Sequence, residues 1–442
     1  MKHFLINILR FKLGILAKLT IWKYKPTVIA ITGSAGKTSA KEAIYAVLKN
    51  FKRVRKSSAN FNNELGVPLT IISDAQEIKK PAILFWLKII LSALVRIISP
   101  RKSANQYPEI LILEYGADKA GDIEKLVKIA KPTIGIITAI GDIPVHVGNY
   151  SSIEAVVREK ANLISDSFTG GLSVINGDDP WLSNLKKRTR SQIKTFGTSP
   201  DCDIRISHFS HIISHDSVSH AINDHYNYND RSKCNGEEKC GKIAGITFKL
   251  EKEGKSVPVD IADVFSISHA YASACSAVVA EYFGINFISV SDFISKNYMP
   301  VSGRSTILDG IKNTQIIDES YNSSPLALKT ALETLKMVSG RRKVAILGDM
   351  TELGDHTQKA HEMIGEMITS CVDVLITVGE KAKFIASKAI KSGLDKDNLF
   401  LFDSTSDALE KITPLIQEGD LILVKGSHSV GLERVVNKLT NF

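Results

Sequence analysis

The residues best suited to chemistry in this chain form the string Gly33-Ser34-Ala35-Gly36-Lys37-Thr38-Ser39. It follows a short β-branched run, TVIAIT, and opens a stretch of helical periodicity, SAKEAIYAVLKN, so it reads as strand, glycine loop and helix start. That context is what makes a glycine-lysine string a phosphate cradle. Gly33 and Gly36 let the backbone wrap closely, the N–H groups at the helix start face an anion, Lys37 adds a point charge, and Thr38 is placed to ligate magnesium. The spacing GxxGKT is shorter by two residues than the general GxxxxGK[ST] loop. A second gathering of reactive side chains, His208, His211, His215, His220, His225, Cys234 and Cys240, holds five of the eleven histidines. Neither the histidines nor the two cysteines have the spacing of a compact zinc motif, so a polar surface loop is expected there.

Such residues need a scaffold, and 442 residues exceed what one hydrophobic core usually serves, so two or three domains are expected. With 44% hydrophobic and 23% charged residues, wholesale disorder and collagen-like repeats are excluded. Five irregularly spaced cysteines argue for a reducing compartment, and a cytoplasmic location is expected. The apolar N-terminus is interrupted by Arg10, Lys12, Lys18 and Lys23 with no small-residue cleavage site after it, so no secretory signal is expected. A net charge of +9 fits an anionic partner: nucleic acid, anionic lipid or a phosphorylated substrate. The basic residues are dispersed without an aromatic-interleaved motif, so nucleic acid is not the expected partner.

Residues 1–26 form a basic amphipathic segment, helical over 1–25. From 27 to 302, runs such as EILILEYGA, TIGIITAI and GLSVING alternate with the helical DIEKLVKIA and IEAVVREKANLI, the rhythm of an α/β domain with a mostly parallel sheet. Two inserts interrupt it: an apolar one over 81–100 and a polar one over 200–247, read as a loop and hairpin. A second, Rossmann-like α/β domain spans 303–442, with VAILGD, VLITVG and LILVKG as its clearest strands. The run 81–99 approaches membrane-spanning length but carries Lys88 and Arg96. A buried or amphipathic helix is expected over that run, with peripheral contact through 1–25 and 81–100 at the inner face of a membrane as the alternative.

Further strings place the chain in a family. GSAGKTS is similar to the GTxGKTS-type nucleotide loop of the Mur ligases. NFNNELGVPLTI, LEYGADKAGDIEKL, TAIGDIPVHVGNYSSIEAVVREK, VINGDDP, GRSTILDG, IDESYNSSP, ILGDMTELG and LVKGSHSVGLERVV then follow in that family's order across most of 27–442. YNSSP and ILGDMTELG resemble its D-alanyl-D-alanine-adding branch. The resemblance implies a central P-loop ATPase domain that binds ATP through Gly33 to Ser39. It also implies catalytic roles for Lys37, Glu114, His146, Lys160 and Arg304, and a magnesium site built from Thr38, Glu114, His146 and a carbamoylated Lys160. Asp318 and Asn322 are implied on the nucleotide side, and Asn62, Asn63, Tyr321, Lys425 and Ser427 on the substrate side. A carboxylate at a strand end, as at Glu114, is a hard oxygen ligand of the kind magnesium prefers. The chain departs from the family pattern at several points. Two extra residues precede His146, Ser324 stands for an asparagine, His428 replaces an arginine, and His269-Ala270-Tyr271 stands where histidine and two asparagines are usual. Only 26 residues precede the first strand, so the usual uridine-binding domain is not expected in this chain.

By the same resemblance the chain is a monomeric ATP-dependent amide ligase acting on small molecules, a UDP-muramoyl peptide and D-alanyl-D-alanine. A carboxylate takes the γ-phosphoryl group of ATP, and an amine then displaces phosphate from the resulting acyl phosphate. The phosphoryl oxygens repel the attacking carboxylate, so cations must neutralise charge as the two approach. Two rival readings are a Mur-like ligase with another acceptor, such as a lipid-linked muropeptide, glutamate or another cell-wall polymer, and a non-catalytic ATP-binding scaffold at the membrane.

Overall fold

The computed structural model describes residues 2–58, 61–80, 82–100, 107–164, 171–186, 192–214 and 241–440. The first sheet is made of β1 (Thr27–Thr32), β2 (Val54–Lys56), β3 (Ile110–Glu114), β4 (Ile134–Ile137), β5 (Leu172–Asn176), β6 (Gln192–Gly197), β7 (Ile204–Ser214), β8 (Lys242–Lys252) and β9 (Lys255–Ala262). Their order is β2-β3-β1-β4-β5-β6-β7-β8-β9, parallel from β2 to β7 and antiparallel across β7, β8 and β9. The strands β3 (ILILE) and β4 (IGII) are buried at every position. Uninterrupted apolar runs are what a parallel strand covered on both faces requires.

The helices that cover this sheet are α1 (Lys2–Tyr24), α2 (Lys37–Leu48), α3 (Gly66–Ile72), α4 (Ala82–Ile98), α5 (Asp122–Ile129), α6 (Ile153–Ala161), α7 (Pro180–Lys186), α8 (Ser268–Tyr282) and α9 (Phe287–Asn297). On one face α2, α8 and α9 pack over Ile29, Ile31, Ile110 and Ile134; on the other, α1, α3 and α5 cover Val28, Ala30, Leu111 and Leu113. The small residues of α8, Ala270, Ala274, Ala277 and Ala280, let it lie close against α2 and the strands.

A second sheet follows, with β10 (Thr306–Asp309), β11 (Gln315–Glu319), β12 (Lys343–Gly348), β13 (Val374–Val378), β14 (Leu399–Phe402) and β15 (Leu421–Lys425) in the order β10-β11-β15-β12-β13-β14. All pairs are parallel except β10 with β11. Helices α10 (Pro325–Lys336), α11 (Thr357–Ile368) and α12 (Lys383–Lys391) cover one face, and α13 (Thr405–Lys411) and α14 (Glu433–Leu439) the other. Both sheets are the α/β architecture expected from the alternating runs.

Within the region 200–247, read as a loop and hairpin, residues 204–214 form a strand that pairs antiparallel with β8. Ile204 and Ile206 are buried at alternate positions, which is strand patterning, and β7 pairs antiparallel with β8 from Arg205–Glu251 out to Ser214–Lys242. Residues 215–240, with most of the histidine and cysteine gathering, lie outside the described residues. The apolar run is a helix, as expected, but Ala93 is its only buried residue. No described helix is long and apolar enough to cross a membrane.

The central position is β1, which pairs with β3 on one side and β4 on the other, so the crevice beyond its carboxyl end is a topological switch point where ligands of open α/β sheets bind. Replacing Ile29, fully buried in that strand, by alanine is expected to cost about 2–5 kcal/mol of stability. Urea unfolding checks this, and a loss under about 1 kcal/mol would show that β1 is not at the packed centre.

Candidate active site

The glycine loop leaves the carboxyl end of β1 and turns directly into α2. Gly33 has φ of 148° and Gly36 of 81°, both in the region that favours glycine. A side chain on Gly33 would put its Cβ 2.1 Å from Thr138 Oγ1, so a substituent there collides with the β4 loop. That loop clamps the cradle: Ser34 N–H donates to Ala139 O at 2.7 Å, and Thr138 Oγ1 donates to Ala35 O at 2.5 Å. The Ser34 hydroxyl oxygen is buried without a hydrogen-bond partner. The start of α2 carries no acidic residue, so nothing at this helix end offsets the attraction of its free N–H groups for an anion.

Two ammonium groups converge on the cradle. Lys37 Nζ donates to Gly33 O at 2.7 Å, and Lys160 Nζ, from α6, donates to the same oxygen at 3.3 Å. Burial is the main cause that lowers the pKa of both. Lys37 is pushed down against the pull of Glu114, and Lys160, 1% exposed, is pushed down to about 7 with Lys37 adding to the effect.

Glu114 ends β3 level with Ile31 of β1 and is 3% exposed. Its carboxylate lies 2.9 Å from Lys41 Nζ, an ion pair without hydrogen-bond alignment, since Glu114 Oε1 accepts none. Lys41 also approaches Glu42 at 3.7 Å, and Glu42 pairs with Lys56. His146, at φ of 63°, sits with Nε2 3.5 Å from Asp118 and Nδ1 2.9 Å from Glu352 of the second α/β unit. Burial lowers its pKa, against the opposing pull of Glu352 and Asp118.

Arg304 comes from the turn before β10, its guanidinium 4.3 Å from the ring centre of Tyr321. A polar chain runs from that turn toward the glycine loop: His269 Nε2 reaches Arg304 O at 3.1 Å, His269 Nδ1 lies 2.7 Å from the Tyr298 hydroxyl, and Ser39 is close enough to Tyr298 to lower its pKa against the effect of burial. Burial pushes His269 down to about 4, which keeps this ring neutral. Arg304 is close enough to Lys37 to lower its pKa.

The remaining candidates divide. Asp318, 4% exposed, accepts from Gly303 N–H at 3.0 Å and from both N–H and hydroxyl of Ser320, so here it orders the turn that carries Arg304. Lys425 pairs with Glu319 at 2.8 Å and donates to Asn322 O at 3.0 Å, while Asn322 Oδ1 accepts from Ser323 N–H. Ser427 Oγ accepts from Thr351 N–H at 3.0 Å, joining the β15 and β12 loops. Tyr321 stacks at a tilt on His428, which stands for the family arginine. Asn62 receives Gly116 N–H on its carbonyl at 2.8 Å, beside Glu114, whereas Asn63 Oδ1 accepts from Leu65 and Gly66 N–H at the start of α3. Tyr271, at the departed adenine-side position, donates to Asp178 Oδ2 at 2.7 Å.

Asp118, Glu352 and Lys41 belong to this cluster and were not singled out from sequence. Asp118 and Glu352 lie inside strings already noted, LEYGADKAGD and ILGDMTELG, so the signal for them was present. Lys41 follows Lys37 by one helical turn, a spacing that put it beside Glu114. Among the described residues no group of three or more His, Cys, Asp or Glu could hold a metal ion.

A nucleotide loop at a switch point, a strand-end carboxylate and an arginine brought in from a second α/β unit define an ATP-dependent ligase of the Mur type, and the family comparisons agree. The Mur ligase middle domain profile matches residues 31–84 and 99–239, the Mur ligase glutamate ligase domain profile matches 303–428, and the chain belongs to the Mur ligase family. Among individual relatives, the UDP-N-acetylmuramoyl-tripeptide--D-alanyl-D-alanine ligase of Bacillus subtilis is 28% identical over 428 residues, covering 96% of this chain and 78% of its own length. The corresponding enzyme of Rickettsia prowazekii is 27% identical over 431 residues, covering 96% of this chain and 80% of its own. The crystal structure of the MurF ligase from Thermotoga maritima in complex with ADP superposes with a TM-score of 0.73 at 24% identity, covering 97% of this chain and 83% of that one, a likeness of fold.

Lys160 yields a test of the buried cluster. Its folded-state pKa, about 7, lies below the ordinary 10.5, so between those values the unfolded chain binds the proton and the folded one does not. The burial penalty is therefore complete below about 7 and fades as pH rises toward 10.5. In carbon dioxide-free buffer, Lys160→Met is expected to gain stability over the wild type at pH 6 and to lose most of that margin by pH 9. Denaturant midpoints across this range check it, and a margin independent of pH would refute the buried neutral amine.

Proposed function

We propose that this protein is an ATP-dependent peptide ligase that adds D-alanyl-D-alanine to a UDP-N-acetylmuramoyl tripeptide in cell-wall precursor synthesis, releasing ADP and phosphate. The observation that carries the reading is the focus of Lys37, Lys160 and Arg304 on one glycine cradle, because phosphoryl transfer to a carboxylate brings like charges together. The relatives at 26–28% identity that bear this activity in their names cover nearly the whole chain, which supports the choice of substrates.

Lys37 and the N–H groups of the loop bind and orient the phosphates of ATP, the phosphoryl donor. Arg304, held by Tyr321 stacking, faces the transferring group from the other lobe and offsets its charge. Glu114 and Thr38 would supply hard oxygens, and His146 a nitrogen, to hold magnesium. Few protein ligands are needed, since magnesium keeps waters and substrate phosphates in its shell. Magnesium, when bound, neutralises phosphate charge. The neutral Lys160 amine is suited to carbamoylation: nitrogen bonds the carbon of carbon dioxide, a proton leaves that nitrogen to solvent, and the neutral amine becomes an anionic carbamate whose oxygens could serve as ligands. The anion so formed would lie beside the Lys37 cation, which shares the Gly33 carbonyl with it. Contacts between His146 and Glu352, and between Gly148 and Gly354, close the two lobes around the site and limit the access of water to the activated acyl group.

The test is a coupled assay of ADP release. Wild-type protein is expected to release ADP only when tripeptide acceptor and D-alanyl-D-alanine are both present, and Lys37→Ala or Arg304→Ala to lower kcat by about 10²–10³-fold. ADP release that ignores the amine, or that survives Lys37→Ala, would overturn the assignment.

A further inference from the structure

We propose that α1 and α4 together form a docking surface for anionic lipid, which seats this protein on a membrane face with both helices lying in the headgroup plane. Among the described residues, seven of α1 and seven of α4 make up 14 of the 24 large hydrophobic side chains left exposed, so the apolar surface is concentrated rather than scattered. Contiguous apolar surface of this kind marks an interaction site. On α1 the exposed residues Ile8, Phe11, Ile15, Leu19 and Trp22 recur every three or four positions and form one stripe, with Trp22 76% exposed. The opposite face, Leu13, Leu16, Ala17 and Thr20, is buried against the protein. On α4, Ile83, Leu87, Leu91, Leu94 and Ile98 make a second stripe at the same spacing, while Ala93 faces inward.

The two helices are fastened to each other and to the sheet, so both outer stripes point away from the body. Their inner faces share one hydrophobic cluster. Lys23 Nζ donates to Arg96 O at 2.8 Å and Ile97 O at 2.9 Å, closing the carboxyl end of α4, and Tyr24 OH donates to Arg96 O at 2.9 Å. Arg96 in turn donates to Ile72 O at 2.8 Å.

Charge selects the occupant. No acidic residue occurs in 1–41 or in 78–108, while Lys12, Lys18, Lys25 and Lys88 are exposed on or beside the stripes. Arg10 is the exposed cation with an acidic partner, Glu64 at 3.8 Å. Apolar stripes on stretches that carry cations and no acidic residue match the acyl boundary and phosphate layer of an anionic bilayer, and Trp and Phe suit the interface. A helix too short and too charged to cross fits lying on the surface. Neither α1 nor α4 beyond its first turn falls within the stretches matched by the family profiles.

The test is co-sedimentation of the full chain with vesicles, with phosphatidylglycerol in phosphatidylcholine in one arm and pure phosphatidylcholine in the other. Binding is expected to the anionic vesicles alone, to fall at least tenfold in high salt, and to shift the emission of Trp22 to the blue. The pairs Phe11→Ser with Trp22→Ser and Leu87→Ser with Leu91→Ser are each expected to lower vesicle affinity at least tenfold. Lys12→Gln with Lys18→Gln and Lys88→Gln is expected to do the same without touching an apolar residue, and unchanged urea midpoints show that the variants fold. Equal binding to neutral vesicles, no binding to either, or variants that bind like the wild type would overturn the proposal. So would a dimer that the Phe11 and Trp22 changes disperse while vesicles stay unbound, since a second copy would then cover the stripes.

Discussion

A buried lysine and a half-buried one sharing one backbone carbonyl set the terms for everything around them. Lys37 and Lys160 both reach Gly33 O, and among the described residues neither forms an ion pair, although Glu114 and Asp118 pull on Lys37 and Asp118 and Glu159 on Lys160. Cations taken out of water without a partner are costly, and the protein meets that cost by lowering the proton affinity of both amines. A bound polyphosphate is the ligand that would restore the balance. The close fit of Gly33 against Thr138 then has a purpose, because the cradle must be narrow for two amines and several N–H groups to converge on one small volume.

The second α/β unit completes this centre rather than standing apart from it. Arg304 arrives on a turn shaped by Asp318, and a polar chain runs from that turn through His269 to Tyr298, next to Ser39 of the glycine loop. On the other side Glu352 meets His146, and Gly354 packs so closely on Gly148 that a side chain at either would collide. Asp349, Thr351 and Ser427 hold the β12 and β15 loops together behind that contact. Charge stabilisation at the phosphates therefore depends on the spacing of two sheets, which is set by their cores and not by the loops alone.

Outside the centre, the chain keeps an apolar surface that its own fold does not use. The burial of α1 and α4 on one side and their exposure on the other follow from helical spacing. The absence of acidic residues near them adds a preference in sign. Packing among the described residues accounts for the inner faces, and an anionic lipid surface would account for the outer ones.

Much of this was written in local sequence. Strand, glycine loop and helix could be read over 27–48 because β-branching, glycine placement and periodicity agree there, and the parallel sheets could be read because strands such as ILILE are apolar throughout. The order of family strings located Lys37, Glu114, His146, Lys160 and Arg304, and the structure gathers all five around one cradle. Local pattern was less informative where pairing decided the outcome. The polar stretch after 200 became β7 because β8 offered it a partner across a hairpin. Asp118, Glu352 and Lys41 could not be ranked from sequence, since an exposed carboxylate and a helix lysine look alike until another element is laid against them. Nor could sequence tell that Asn63 would spend its side chain on α3 or Asp318 on the turn before Arg304. Spacing along a chain determines which face a residue joins, and only the closing of distant elements determines which charge it meets.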